Sequence, residues 1–488
     1  MVAESASTAN DTTPSRFQPT WLALLGFGLA TRLIVVVLGC FLALPESAVK
    51  SRVVHSPHND GMNLRHLAAL SSGSRRWIEP WYRWDAMWYL DISQRGYSYR
   101  PGSESSVAFM PLLPLLIKIG VTVGFDPYWS GLLIPNLAFV AGLALFGRGV
   151  LRVTESAATT WRACILLVAF PSSFFFSAPY QESLGLALTA AAVLAWLNHR
   201  PAQSAAALAP ASAARLTALS MSVGLVLEWA LDLIRGRPAR HSAWLVAIAS
   251  TLGTALFFGY LTLRFHDPLL HLKAHAAWLR KTPSVPQLLG AIWSLVRVSM
   301  VMLQRSGVFT LSLMLLLAWL CHKPLRSAYL RLARTVFRRR AADPDRGVPK
   351  PSPAAHAGWI VASGAVLLIS IGLLVLRARG STVDVLSTLH MVAYSRDLLV
   401  TILFLGLGIH AFLKRGPLWG CMVLVPVLQA LASGSILSMT RIVLSSYPGF
   451  FDAAEIASNR AVFAITVVVF LFAQFVLLTS YVNWIFVA

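Results

Sequence analysis

The chain has 488 residues, of which 56% are hydrophobic and 12% are charged, and its formal net charge is +21. Soluble domains carry roughly a quarter charged residues, so this composition excludes an ordinary soluble protein. The basic residues lie between apolar stretches, as topology signals do, so the charge does not indicate nucleic-acid binding. Backbone groups in lipid must pair internally, and the composition therefore predicts an all-α polytopic membrane protein.

Charge and hydropathy together predict the topology. Nine Lys and Arg lie in 323–350, so we assign 322–356 to a basic cytoplasmic loop that touches anionic membrane lipids. Alternation outward from this loop places the tail 1–20 on the cytoplasmic side as well. The segments predicted on the outer side are the long loop 45–106, the turn 171–182, the loop 264–305, and the segments 377–396 and 438–460.

About ten apolar stretches are long enough to cross a bilayer. They are 21–44, 129–150, 162–178, 182–198, 242–263, 307–321, 357–376, 397–413, 418–437 and 461–485. Two further stretches are predicted to be partial. Residues 107–123 contain Pro111 and Pro114, which favours a juxtamembrane or re-entrant helix, and the Ala-rich stretch 203–232 has basic residues at both ends, which favours a broken hairpin. We predict a single membrane domain over 1–488.

The first outer loop carries the residues that most clearly indicate chemistry. Several tryptophans, at 77, 81, 84 and 88, mark anchoring at the membrane interface. Asp85, Tyr89 and Ile92 recur at helical spacing, and Gly96 is a suitable helix end. Asp85 is therefore predicted near the start of a helix, at the membrane surface and among aromatic side chains.

Two roles are open for Asp85. The carboxylate can accept a proton from an acceptor hydroxyl while the aromatic rings exclude water. Alternatively it only caps the helix. The other acids of this loop, Glu79 and Asp91, are interpreted as surface charges.

Five motifs in order resemble the PIG-V family of GT-C mannosyltransferases, whose eukaryotic members add the second mannose of the GPI anchor. They are Arg83-Trp84-Asp85 with Tyr89, Ile92 and Tyr97, followed by 108–114; Phe176 to Ser183 with Tyr180 and Glu182; Ala214-Arg215 with the apolar residues after it; Arg264 to Leu269 with Asp267, Trp278 and Arg280; and Ser438 to Arg441 with Tyr447-Pro448. Together they span most of the chain.

The resemblance implies a GT-C fold and inverting, metal-independent transfer of a sugar, mannose by expectation, from a polyprenyl-phosphate donor to a lipid-linked or glycolipid acceptor. Asp85 would be the catalytic base, and no cofactor is expected. The candidates for the donor phosphate are Arg280, Arg441 and His275, which can form charge-assisted hydrogen bonds. The candidates for substrate contact are Arg83, Trp84, Tyr89, Tyr97, Tyr180, Glu182, Asp267, His271 and Trp278.

Several of these residues have a second interpretation. His271 and His275 are four residues apart, which suits contact with lipid headgroups and also a metal pair, although a third ligand is missing. Glu182 either orients a sugar hydroxyl or is a favourable charge at a helix start. Arg215 either approaches a buried phosphate or only sets topology.

The main rival function is a transporter or flippase of lipid-linked sugars. A transporter is expected to place its polar residues near the middle of the spans, whereas these lie in outer loops. The only Asn-x-Ser/Thr triplet starts at Asn10, so no outer loop carries a glycosylation signal. We therefore expect a bacterial cytoplasmic membrane, with the endoplasmic reticulum as the alternative. The four cysteines are single and are expected to be reduced.

Overall fold

A computed structural model describes residues 18–44, 60–278, 284–293, 385–485 and 487, and within these ranges every regular element is an α-helix or a short 3-10 turn. In chain order the α-helices are α1 (Trp21–Leu42), α2 (Asp60–Leu70), α3 (Asp85–Arg95), α4 (Leu112–Thr122), α5 (Pro127–Thr154), α6 (Ala157–Ala169), α7 (Glu182–Leu197), α8 (Pro201–Ala214), α9 (Leu219–Ile234), α10 (Ser242–Phe265), α11 (Leu270–Ala274), α12 (285–293), α13 (Val385–Arg415), α14 (Pro417–Ala432), α15 (Met439–Ile442), α16 (Gly449–Ile456) and α17 (Arg460–Val482).

In this part of the chain, six helices are long and apolar enough to cross a membrane. They are Trp21–Leu42, Pro127–Thr154, Leu216–Ile234, Ser242–Phe265, Arg396–Arg415 and Arg460–Val482. The prediction of an all-α polytopic membrane protein is thereby confirmed. The predicted spans 307–321 and 357–376 and the basic loop 322–356 lie outside the described residues, so the number of about ten crossings stays a prediction.

The ends of α1 and α17 lie side by side. Asn483, just after α17, accepts a hydrogen bond from the amide of Leu44 at 2.7 Å and donates one to the carbonyl of Leu42 at 3.0 Å. Both helices therefore run in the same direction and end where the long loop 45–106 begins. We call this end of the bundle the site end.

The segment 438–460 crosses the bundle, and its prediction as an outer segment is wrong. Arg441 lies at the site end, whereas Asp452 contacts Arg415 at 2.6 Å, at the far end of α13. The carbonyl of Ser458 accepts a hydrogen bond from Arg162, near the start of α6. Hydropathy does not reveal this crossing because it is broken into α15, a 3-10 turn and α16, none long enough to span a bilayer alone.

Helix α4 has both of its ends at the site end. Before it, the carbonyl of Met110 accepts a hydrogen bond from Gln181 at 2.5 Å, and after it Asp126 pairs with Arg75 of the long loop at 2.8 Å. Its outward side chains include Ile119, which is 58% exposed. An apolar helix of 11 residues with this placement is juxtamembrane, as the sequence predicts.

Helices α8 and α9 form the predicted broken hairpin. The hairpin enters from the end opposite the site, where the cation Arg240 lies over Trp196 with 5.7 Å between the guanidinium carbon and the ring centre. Its tip is the extended residue Arg215, with φ −152° and ψ 135°, and this tip reaches Glu182 at the site end. The hairpin therefore places the Arg215 guanidinium beside Glu182.

The break between α6 and α7 places the second half of the site. The predicted span 162–178 is wrong at its end, because α6 stops at Ala169, two residues before Pro171, which cannot continue the helical hydrogen bonds. Gln474 of α17 donates to the freed carbonyls of Val168 and Phe170 at 3.1 and 3.2 Å. Such partners are needed for non-helical backbone at membrane depth.

Arg32 holds the other side of this break. It is 2% exposed within α1 and donates to the carbonyl of Ser173 at 3.0 Å and to the hydroxyl of Ser177 at 3.2 Å. Asn136 of α5 donates to the carbonyl of Ser177 at 2.9 Å. The turn that leads to Tyr180 and the start of α7 is therefore fixed by three neighbouring helices.

Candidate active site

Asp85 is the first residue of α3. The helix starts there because the preceding residue, Trp84, has φ 53° and ψ −120°, outside the helical region and unusual for a residue with a side chain. Such strain is characteristic of functional sites. The Asp85 carboxylate does not occupy the capping position, and its Oδ2 accepts a hydrogen bond from Nη1 of Arg441 at 2.7 Å. The capping interpretation of Asp85 is therefore wrong.

Arg441 joins two carboxylates. Besides its contact with Asp85, its Nε lies 3.5 Å from Oε1 of Glu182. The three side chains come from α3, α15 and α7, which are far apart in the sequence. The side chains of Asp85 and Arg441 are 23% and 20% exposed, whereas that of Glu182 is 1% exposed. The predicted base and one predicted phosphate cation are thus in direct contact at a partly open site.

Arg215 adds a second cation. Its Nη1 forms an ion pair with the same Oε1 of Glu182 that Arg441 approaches. The path of its side chain depends on Gly185, one turn into α7, where a Cβ would come within 3.3 Å of the Arg215 Cδ. Of the two interpretations of Arg215, the structure supports the approach to the site and not a role in topology alone.

Aromatic rings form the wall beside these charges. The ring centre of Tyr180 lies 5.2 Å from the guanidinium carbon of Arg441, and that of Phe175 lies 5.6 Å from it. Tyr89, one turn after Asp85, packs edge-on against Tyr180 with ring centres 6.2 Å apart. Burial raises the pKa of the Tyr89 hydroxyl above its usual value of 10.0, so this group stays neutral. An apolar wall of this kind strengthens the electrostatic interactions of the site.

A second aromatic group continues outward from Tyr89. The ring centres of Tyr89 and Phe109 are 5.4 Å apart, Phe109 stacks on Trp88 at 5.5 Å, and Trp278 closes the group 5.7 Å from Phe109. His275 adjoins Trp278, with ring centres 6.4 Å apart. The loop 264–305 therefore packs against the site through this aromatic group, in which Trp88, Tyr89 and Phe109 are buried.

The rings of His271 and His275 contact each other. Nδ1 of His271 lies 3.0 Å from the carbonyl of Val107, and Nδ1 of His275 lies 2.7 Å from the carbonyl of His271. Burial, together with the smaller effect of the neighbouring His275, lowers the pKa of His271 from 6.5 to about 3. His271 is therefore a neutral ring that ties α11 to the residues before α4.

The buried His271 makes stability depend on pH. The unfolded chain protonates this side chain below its ordinary pKa of 6.5, and the folded protein does not do so until about pH 3. Its contribution to stability is complete above pH 6.5 and is lost progressively as the pH falls through this window. The variant His271→Asn keeps a donor for the Val107 carbonyl. We expect its melting temperature to fall less than that of the wild type when the pH is lowered from about 7 to about 5.

The matched control for this prediction is His199→Asn. His199 is exposed and has φ 57°, a conformation that asparagine tolerates. This variant should keep the pH dependence of the wild type. Equal slopes of melting temperature against pH in His271→Asn and the wild type would contradict the prediction.

Four of the predicted substrate residues face other partners. Arg83 is fully buried and holds the loop to α17, donating to the carbonyl of Val482 at 2.9 Å and pairing with Glu79 at 2.7 Å. The Trp84 ring lies against that of Trp484. The Tyr97 hydroxyl donates to the carbonyl of Phe109 at 2.9 Å, and Asp267 pairs with Lys273 at 2.6 Å. These contacts position backbone near the site; direct contact of these four side chains with substrate stays a prediction.

Two other predictions stay open. Arg280 lies outside the described residues. Across the described part of the chain, no three His, Cys, Asp or Glu come together in a way that could hold a metal ion. Metal independence is still a prediction, to be tested by chelation.

The sequence left two interpretations open for Arg215, although one signal favours a functional role. Arg215 is the single charged residue between Arg200 and Glu228. A lone charge in an apolar hairpin is expensive in lipid and is by default functional. Its partner could not be identified, because Glu182 lies 33 positions earlier.

The helices and the acid–arginine cluster define a polytopic membrane protein with a candidate active site at one end of its bundle. Residues 23–234 match the family model described as mannosyltransferase (PIG-V), and the resemblance predicted from the motifs is thereby confirmed. This match covers Asp85, Glu182 and Arg215, and it supports a membrane glycosyltransferase with the GT-C fold that the resemblance implied.

Two other comparisons add little. A search of curated proteins found no match. A solved structure described as ArnT from Cupriavidus metallidurans bound to undecaprenyl phosphate is similar over 89% of this chain and 78% of that chain, with 14% identity and a TM-score of 0.35.

Proposed function

We propose that this protein transfers a mannosyl residue from a polyprenyl-phosphate donor to a hydroxyl of a lipid-linked or glycolipid acceptor, with inversion, on the outer face of the membrane. The observation that carries the proposal is the contact between Asp85 and Arg441, with Glu182 and Arg215 beside it. It brings together a carboxylate that can take a proton and guanidinium groups that can take a phosphate. The match to the mannosyltransferase (PIG-V) family model supports mannose as the transferred sugar.

Each charged group has one task in this reaction. Asp85 accepts the proton of the attacking acceptor hydroxyl, whose oxygen forms a bond to the anomeric carbon. The bond from this carbon to the phosphate oxygen breaks, and its electron pair leaves with the polyprenyl phosphate. The charge of the phosphate rises from one to two as it departs, so Arg441 and Arg215 stabilise the transition state more than the bound donor.

In the donor complex, the contact between Asp85 and Arg441 has to open. Inversion requires the base and the leaving group on opposite faces of the sugar ring, so the donor sugar has to enter between these two side chains. Arg441 then exchanges its bond to Asp85 for the phosphate, while Glu182 remains its neighbour on the other side. Asp85 is thereby released to act as a base.

Glu182 is suited to bind a sugar hydroxyl. Its Oε1 is shared by the two arginines, and its buried Oε2 has no hydrogen-bond partner within the described residues. A buried carboxylate oxygen without a partner is costly, and a sugar hydroxyl in the site would supply one. Tyr89 and Tyr180 form the buried apolar wall beside it. Because the Asn-x-Ser/Thr triplet of this sequence lies in the tail and not in an outer loop, we favour a bacterial cytoplasmic membrane as the location.

The decisive experiment is a transfer assay with the purified protein in liposomes and labelled polyprenyl-phosphate mannose, with and without EDTA. We expect transfer to the membrane lipids of the liposomes, and this transfer should persist in EDTA. The product should have the inverted anomeric configuration, and a glucose donor with the same lipid should be used more slowly. The same liposomes report movement of the labelled donor across the bilayer. Movement without turnover of any lipid-linked sugar would replace the proposal by a transporter.

A further inference from the structure

Asp397 is a fully buried carboxylate within α13, beside the turn before Arg441, and the function proposed above does not use it. Its side chain is 0% exposed. Burial of a charge is costly unless donors surround it. Asp397 accepts hydrogen bonds from the backbone amides of Ser438 and Thr440, both at 3.0 Å, and from the Thr440 hydroxyl. Arg396 approaches it at 3.4 Å.

All three bonds end on the short turn that carries Arg441. This turn begins at Ser438, which has φ 67°, a left-handed conformation that is uncommon for a residue with a side chain. On its other side the carbonyl of Thr440 accepts a hydrogen bond from the Ser172 hydroxyl at 2.7 Å. The turn is therefore clamped by Asp397 through its amides and by Ser172 through a carbonyl, one residue before Arg441.

We infer that Asp397 is a positioning residue, which holds the 438–440 backbone so that the Arg441 guanidinium reaches Asp85 and Glu182. This inference rests on the proposed function. A carboxylate is required because Oδ1 and Oδ2 bond to different amides at once, whereas an asparagine has a single acceptor oxygen. Charge-assisted hydrogen bonds are also about twice as strong as neutral ones. Asp397 acts through Arg441 and touches no reacting atom.

The competing interpretation is that Asp397 only stabilises the fold. A double-mutant cycle separates the two, because residues that act through one another show non-additive effects. We expect Asp397→Asn to lower kcat by about 10- to 100-fold, in the range expected for a misplacement of about 1 Å. In an Arg441→Lys background the same substitution should add little. Additive losses in the cycle would overturn the inference.

The matched control is Asp452→Asn, which removes an equally buried carboxylate, 1% exposed, from the opposite end of the bundle, where it pairs with Arg415. A similar fall in melting temperature is expected for both variants, with a fall in kcat for Asp397→Asn alone. If Asp397→Asn does not fold, Thr440→Val removes one hydroxyl contact and carries the same test with a smaller loss.

Hydrogen exchange tests the clamp without any turnover. The amides of Ser438 and Thr440 should exchange at least several-fold faster in Asp397→Asn than in the wild type, and no faster in Asp452→Asn. Unchanged exchange at these amides would overturn the inference even if the enzyme is active. An inactive wild type with faster exchange in Asp397→Asn would instead overturn the proposed function and leave the clamp established.

Discussion

Asp85→Asn should lower kcat by about 10²- to 10⁴-fold, the usual contribution of a positioned general base. Asparagine has the same shape and its oxygen can still accept the bond from Arg441, which is 2.7 Å long in the wild type. The variant therefore removes the capacity to take a proton and leaves the packing of α3 intact. The measurement is the rate of transfer from labelled polyprenyl-phosphate mannose under saturating donor.

A matched control lies on the same helix. Asp91 is six positions after Asp85 and faces away from the site, with His66 at 3.4 Å and Arg95 at 3.6 Å. Asp91→Asn should therefore retain most of the wild-type kcat. Asp85→Asn protein that is folded and transfers mannose at the wild-type rate would remove Asp85 from the role of base.

Arg441→Lys should lower kcat by about 10²- to 10³-fold, comparable to the loss of one donor to a developing negative charge. Lysine keeps the charge but has a single ammonium group, whereas Arg441 contacts Asp85 through Nη1 and approaches Glu182 through Nε. Because the second charge of the phosphate develops only in the transition state, the loss should fall on kcat more than on the KM for the donor.

Arg162→Lys is the corresponding control. Arg162 lies at the opposite end of the bundle and donates to the carbonyl of Ser458, so its replacement should leave kcat near that of the wild type. Arg215→Lys should give an intermediate loss, since Arg215 contacts Glu182 but not Asp85. If Arg441→Lys raised the KM and left kcat unchanged, Arg441 would bind the donor without stabilising its departure.

Much of the helical architecture follows from local chemistry. Apolar stretches of sufficient length form helices in lipid because no water satisfies their backbone. The juxtamembrane helix α4 and the break in the hairpin α8–α9 were also predictable, since prolines and flanking basic residues mark them. The stretch 203–232 was expected to cross only in part, however, whereas Leu216–Ile234, which contains α9, is long enough to span a membrane. The prediction fails where a crossing is broken. For 162–178 and 438–460, the helical hydrogen bonds stop early and remote residues such as Gln474 and Asp397 satisfy the backbone.

The candidate site also contains some residues that local sequence identifies and others whose role depends on distant contacts. Asp85 was recognisable from its aromatic surroundings and its spacing to Tyr89, both of which are local. Arg83, in the same motif, instead holds the loop to α17 by bonding the carbonyl of Val482, which lies 399 positions away. A motif reveals which residue types are present, but the direction of each side chain depends on the helices packed against it.

The sequence alone was therefore sufficient for the membrane class, most of the helices and the resemblance to PIG-V mannosyltransferases, and it singles out Asp85 as the candidate base. Only the fold shows that Arg441 and Arg215 meet at Glu182, and that Asp397 holds the turn before Arg441. The physical reason is distance along the chain. Helix formation and burial in lipid depend on neighbouring residues of the chain. An ion pair between helices depends on how distant segments pack, and this packing cannot be predicted from any one segment alone.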